Sequence, residues 1–143
     1  MKNQEKAKQI VAQMMEGDAF SQWLGIEVLI AEVGYAKLTM KVRKEMTNGL
    51  ALTHGGITYS LADSALAFAA NAHGRLSMSI ETSISHIHSV KCDDVLTAIA
   101  TEKNCSNQFA QYDIEIVNQD NIKVALFKGT VYRTSQEWYW KKV

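Results

Sequence analysis

Residues 48–74 read NGLALTHGGITYSLADSALAFAANAHG, and the rest of the fold has to accommodate this stretch. From Ile57 onward, Ile57, Leu61, Ala65, Phe68 and Ala69 fall on one face of a helix. Ala62, Ala67, Ala70 and Ala72 leave no strongly polar face opposite. Such a helix is buried on most of its sides. Its short side chains also let a neighbouring surface come close to the backbone, where Leu or Phe would hold it away. A sheet wrapped around the helix meets both demands. Residues 46–56, which contain Asn48-Gly49 and Gly55-Gly56, are turn-rich and lead into the helix.

The flanking sequence supplies the sheet. Residues 2–15 place Ala7, Ile10, Val11, Met14 and Met15 at helical spacing among Lys and Glu, which predicts an amphipathic surface helix packed on the sheet edge. IEVLIAEV and YAKLTMKV, joined around Gly34, predict a hairpin. From Ser77 the period becomes two: SMSIETSISHIHSV, VLTAIATEK, FAQYDIEIVN and KVALFKGTVYR are four strands, the last three a meander. The expected fold is therefore α+β, an antiparallel sheet wrapped around a long central helix, with an N-terminal helix added. With 143 residues, no proline and no linker-like segment, residues 1–143 are expected to form a single domain.

Composition narrows the function. Fifteen basic and fifteen acidic side chains cancel, so the broad positive field that nucleic-acid binding requires is missing. The longest apolar run, near residues 61–70, carries Asp63 and Ser64 and falls well short of the ~20 residues of a membrane span. The charged N-terminal segment lacks a secretory apolar core, which points to the cytoplasm. Cys92 and Cys105 are expected to be free thiols.

Asp63 carries the chemical signal. An unpaired carboxylate within LADSALAFAA costs several kcal/mol unless it is hydrogen-bonded, paired or neutralised. His54, Gly55 and Gly56 stand at the mouth of the same helix, where free N–H groups and the helix dipole favour developing negative charge. Glycine there lets a carbonyl approach the backbone. Nine residues separate His54 from Asp63, ~2.5 turns and ~13.5 Å along the axis, which puts the two on opposite faces. They cannot serve one small reacting group within one chain. If both act on the same carbonyl, the helix N-terminus of one subunit must meet Asp63 of another across a symmetric interface.

The 48–74 stretch resembles the signature of hotdog-fold thioesterases of the phenylacetic acid degradation type, and YDIEIVNQDNIKVALFKGTVYR resembles the closing strand pair of that family. The resemblance runs from about Gly25 to Arg133. It implies hydrolysis of acyl-CoA thioesters, in homodimers or homotetramers, with no metal or organic cofactor. It further implies that Asp63 activates water or attacks the thioester and that the Gly55 amide binds the oxyanion with help from Asn48. His54 would orient water or substrate, and Ser79, or failing it Ser83, would assist. A proline common at the end of that strand is absent here, where Ser89 follows His86-Ile87-His88. A thioester carbonyl has little resonance stabilisation and a good leaving group, so a carboxylate and a polarising amide are sufficient.

Other features have simpler readings beside functional ones. His86 and His88 share a strand face and form a metal pair only if Cys92 or Asp94 folds back; hydrogen-bonded histidines at a strand end are the plainer reading. His73 with Arg75 could meet CoA phosphates or lie in a solvated loop. Trp138, Tyr139 and Trp140 either cover an acyl pocket or anchor the tail. Two rivals to thioester hydrolysis are an acyl-thioester hydratase or dehydratase of the same fold and a non-catalytic acyl-CoA-binding module.

Overall fold

The computed structural model describes residues 2–138. Its elements, in chain order, are α1 (Lys2–Gly17), α2 (Ala19–Leu24), β1 (Glu27–Glu32), β2 (Tyr35–Lys41), α3 (Gly55–Asn71), β3 (Arg75–His86), β4 (Val95–Cys105), β5 (Phe109–Val117) and β6 (Lys123–Glu137). The six strands form one sheet in the order β1-β2-β4-β5-β6-β3. Every neighbouring pair is antiparallel.

Alternation along the strands sends Ala36, Leu38, Met40, Leu96, Ala98, Ala100, Ile114, Ile116 and Phe127 to the concave face, where they are buried with Leu61, Ala62, Ala65 and Phe68 of α3. Small residues thus stand on both sides of the helix–sheet contact, as the alanine-rich sequence demanded. One close approach is at Gly129 on β6, where a Cβ would lie 2.7 Å from the Leu66 side chain. At the far end of α3, Asn71 ties helix to strand. Its amide donates to the carbonyls of Ala67 and Ser77, and its Oδ1 accepts from the Ser77 amide at 2.9 Å. That clamp fixes the start of β3 beside the helix.

Several boundaries differ from the sequence expectation, and one short helix is added. The central helix begins at Gly55 rather than Ile57, because His54 caps it: the backbone there is extended and Nδ1 accepts from the Gly56 amide at 3.0 Å. β3 ends at His86, beyond which the amides of Ile87 and His88 both turn to the Val124 carbonyl. β6 runs on to Glu137, paired with Arg75. The short α2, with Asp18 as its cap, had no strong sequence periodicity to announce it.

α1 packs its Ala7, Ile10 and Val11 face inward and lies against the β1 edge, as expected. The opposite edge is β3, whose outer side has no partner strand among the described residues. The Trp138 amide donates to the Gly74 carbonyl, anchoring the end of β6. Tyr139 and Trp140 lie outside the described residues. Both cysteines are free, and no helix among the described residues is long and apolar enough to cross a membrane.

Candidate active site

At the start of α3 the first amides are unequal. Gly56 N–H donates to His54 Nδ1, and Ile57 N–H donates to the His54 carbonyl at 2.9 Å. The Gly55 N–H has no hydrogen-bond partner among the described residues, so it is the free donor at the positive end of the helix. Because His54 Nδ1 accepts, a neutral His54 carries its proton on Nε2, facing outward as a donor. Asn48 is held by its own loop. Its Oδ1 accepts from the amides of Leu50 and Leu52, at 2.9 and 3.2 Å. The Asn48 NH₂ group has no partner among the described residues and remains available.

Asp63 lies two turns further along α3, half-buried. It lines a cavity of about 260 Å³ with Leu66, Ala67, Ser77, Met78, Ser79 and Val131. Its carboxylate has no hydrogen-bond partner among the described residues. Burial pushes its pKa above the ordinary Asp value, and the nearby negative charge of Asp18 pushes it further in the same direction. The structure thus brings Ser79 to Asp63 and leaves His54 and Gly55 at the start of the helix, with Asn48 in the loop that leads into it, where its backbone N–H donates to the Leu52 carbonyl. Eight residues of helix between Gly55 and Asp63 span ~12 Å. Ser83 lines different cavities with Asp113 and Lys128, away from Asp63.

Two residues that sequence reasoning had not placed at the site belong to its surroundings. Asp18 accepts from the Ser21 amide and hydroxyl, and Ser21 Oγ in turn meets Ser64 Oγ at 2.8 Å, which brings α2 next to Asp63. The capping pattern of Asp18 and Ser21 is visible in the sequence, but its approach to a residue 45 positions away is not. His86, read as half of a possible metal pair, instead lies over Gly55: a Cβ on Gly55 would be 3.2 Å from His86 Nε2.

His73 and Arg75 are engaged within the chain. His73 Nε2 meets Glu102 Oε1 at 2.6 Å, and Arg75 donates to the carbonyls of Thr134, Asn107 and Arg133. Both side chains are held by the fold rather than lying in a solvated loop. Burial would raise the Glu102 pKa, but hydrogen bonds from Tyr112 and His73 hold it below the usual Glu value. A larger groove of about 850 Å³ between α1 and β1 is lined by Lys8, Val11, Met15 and Leu29 and by none of Asn48, His54, Gly55, Asp63 or Ser79. Cavity size alone does not mark the site.

The model of the thioesterase superfamily matches residues 50–125, the segment that contains Gly55, Asp63 and Ser79. The chain belongs to the thioesterase superfamily. Among curated relatives of this thioesterase, the acyl-coenzyme A thioesterase PaaI of Escherichia coli is 40% identical over 128 residues, which cover 90% of this chain and 91% of that one. The structure of E. coli PaaI, from the phenylacetic acid degradation operon, superposes with a TM-score of 0.92 at 38% identity, covering 94% of this chain and 97% of that one. A thioesterase protein from Streptococcus pneumoniae, solved with coenzyme A, superposes with a TM-score of 0.81 at 25% identity, covering 87% and 97%. The helix wrapped by an antiparallel sheet is the hotdog fold of these thioesterases.

Proposed function

We propose that this thioesterase hydrolyses acyl-CoA thioesters at a site assembled from two copies of the chain, Asp63 from one and the Gly55 amide from the other. The substrate class is that of the E. coli PaaI relative, and the coenzyme A in the S. pneumoniae structure agrees with it. One observation carries the reading: the unpartnered carboxylate and the unpartnered amide sit on one helix, separated by a distance that no single thioester carbonyl can bridge.

The open β3 edge supplies the second copy. Its outer side presents unpaired backbone groups, with Met78 and Ile80 55% and 59% exposed. Such an edge invites strand pairing. A twofold axis that pairs β3 with itself places the Ser79 end of one strand toward the His86 end of the other. Ser79 lines the Asp63 cavity and His86 covers Gly55. The same operation therefore carries Asp63 toward the partner's Gly55.

In the resulting site the thioester oxygen accepts from the Gly55 amide and the Asn48 NH₂, while His54 Nε2–H orients substrate or water. Asp63 takes a proton from water as the water oxygen bonds to the carbonyl carbon, or attacks that carbon itself. Ser79 hydrogen-bonds the water or the carboxylate. The tetrahedral intermediate collapses by breaking the C–S bond, and CoA thiolate departs. The water route leaves the free acid directly and the proton held by Asp63 passes to the thiolate or solvent, whereas attack by Asp63 leaves a mixed anhydride that a water molecule hydrolyses to free acid and the Asp63 carboxylate. The oligomer is a dimer or a dimer of dimers, the whole chain works as one domain, and the enzyme resides in the cytoplasm, where CoA thioesters are formed and consumed.

The test is a panel of arylacetyl-, hydroxylated aryl- and medium-chain acyl-CoAs with detection of free thiol. Hydrolysis of at least one, reduced by about 10²-fold or more in Asp63→Asn with the oligomer intact, is expected. Tight acyl-CoA binding without turnover by the wild type would favour a binding module. Proton exchange on enoyl-CoA would favour a hydratase.

A further inference from the structure

Neither nitrogen of the His86 imidazole has a hydrogen-bond partner among the described residues, and its position is set by the fold. Thr82, Ile84 and His86 alternate onto the concave face of β3: Thr82 meets Tyr59 of α3, and Ile84 packs on the core. The next residue on that face, His86, reaches the first turn of the helix. There its Nε2 lies 3.2 Å from where a Gly55 Cβ would stand. The Gly55 amide nitrogen is ~2.5 Å from the same point, so the two nitrogens are less than about 6 Å apart. One oxygen can therefore sit within ~2.9 Å of both.

We infer that His86 is a catalytic residue, a further hydrogen-bond donor to the thioester oxygen beside the Gly55 amide and Asn48. The inference rests on the oxyanion site proposed above and adds a side chain to it. As the carbonyl carbon becomes tetrahedral, its oxygen gains negative charge. An Nε2–H directed at that oxygen then strengthens in the transition state more than in the ground state. Glycine at position 55 serves both donors: it bares the amide and leaves room for the ring. No proton changes hands in this step, and the charge passes on to the departing thiolate when the C–S bond breaks.

The experiment measures kcat and KM of the full-length protein on its best acyl-CoA for His86→Phe, His86→Gln and His86→Ala, with Asp63→Asn alongside. His86→Phe keeps a ring of similar reach but has no donor, whereas His86→Gln keeps a donor. The expected result is a kcat loss of about 10- to 100-fold in His86→Phe and His86→Ala with KM changed less than about threefold, and partial recovery in His86→Gln. A His86→Phe enzyme with wild-type kcat, while Asp63→Asn is inactive, overturns the role of His86 and leaves the Asp63 site standing. If His86→Phe does not fold, His86→Ala decides by the same criterion. An active Asp63→Asn enzyme overturns the carboxylate reading instead. In that case, loss of kcat in the His86 variants still upholds His86 as a donor.

Discussion

At the scale of single residues, the site depends on what Gly55 omits. Proline there keeps the φ of a first helical residue and follows an extended His54, so it deletes the N–H with little harm to α3. Gly55→Pro is expected to lower kcat by about 10²–10³-fold in steady-state hydrolysis. Gly55→Ala keeps the amide but puts a methyl 3.2 Å from His86 Nε2, tight enough to move the ring. It should cost less than Gly55→Pro, and it should add no further loss in a His86→Ala background. Asp63 sets the pH response. Burial and then Asp18 raise its folded pKa, so the folded state holds the proton more tightly than the unfolded chain. Its stabilising contribution is complete below the unfolded carboxyl pKa and is lost as pH rises through the folded value. Thermal melts should therefore show Asp63→Asn more stable than wild type at neutral pH, the gap closing as pH falls into the carboxylate range. The acid limb of kcat should lie above an ordinary Asp pKa, and Asp18→Asn should move it down while keeping the α2 cap.

At the scale of elements, sequence and structure agree where side-chain period decides and part where tertiary contact decides. Alanines at Ala62, Ala65 and Ala69 announced a helix closely wrapped by a sheet, and Gly129 stands close against Leu66 in that wrap. Gly129→Ala is expected to destabilise the fold by about 1 kcal/mol in denaturant titration, because the Leu66 side chain must shift toward the cavity it lines with Asp63. Adding Leu66→Ala should cost less in that background than in the wild type, the sign of direct coupling. The HGG motif and the offset of Asp63 were legible because they lie on one continuous helix, where spacing converts to geometry. His86 and Asp18 were not, since their approach to Gly55 and Asp63 depends on how β3 and α2 fold back. The glycine pair also hid the true start of α3, because only the His54 side chain marks the cap.

At the scale of the whole molecule, the spacing of Gly55 and Asp63 along α3 turns assembly into a condition for chemistry. The β3 edge is the surface at stake, and Ile80, set at a register break between Ser79 and Glu81, is its most exposed apolar side chain. Ile80→Lys places a charge where strand must meet strand. Light scattering should show a smaller species, and thioesterase activity should fall with it. The most direct measurement is subunit complementation. Asp63→Ala and Gly55→Pro proteins, each inactive alone, are mixed under conditions in which exchange is verified. If every site draws Asp63 from one chain and Gly55 from its partner, half the pairs are mixed and each mixed pair holds one intact site, so about a quarter of wild-type activity returns. No recovery after confirmed exchange would contradict the shared site.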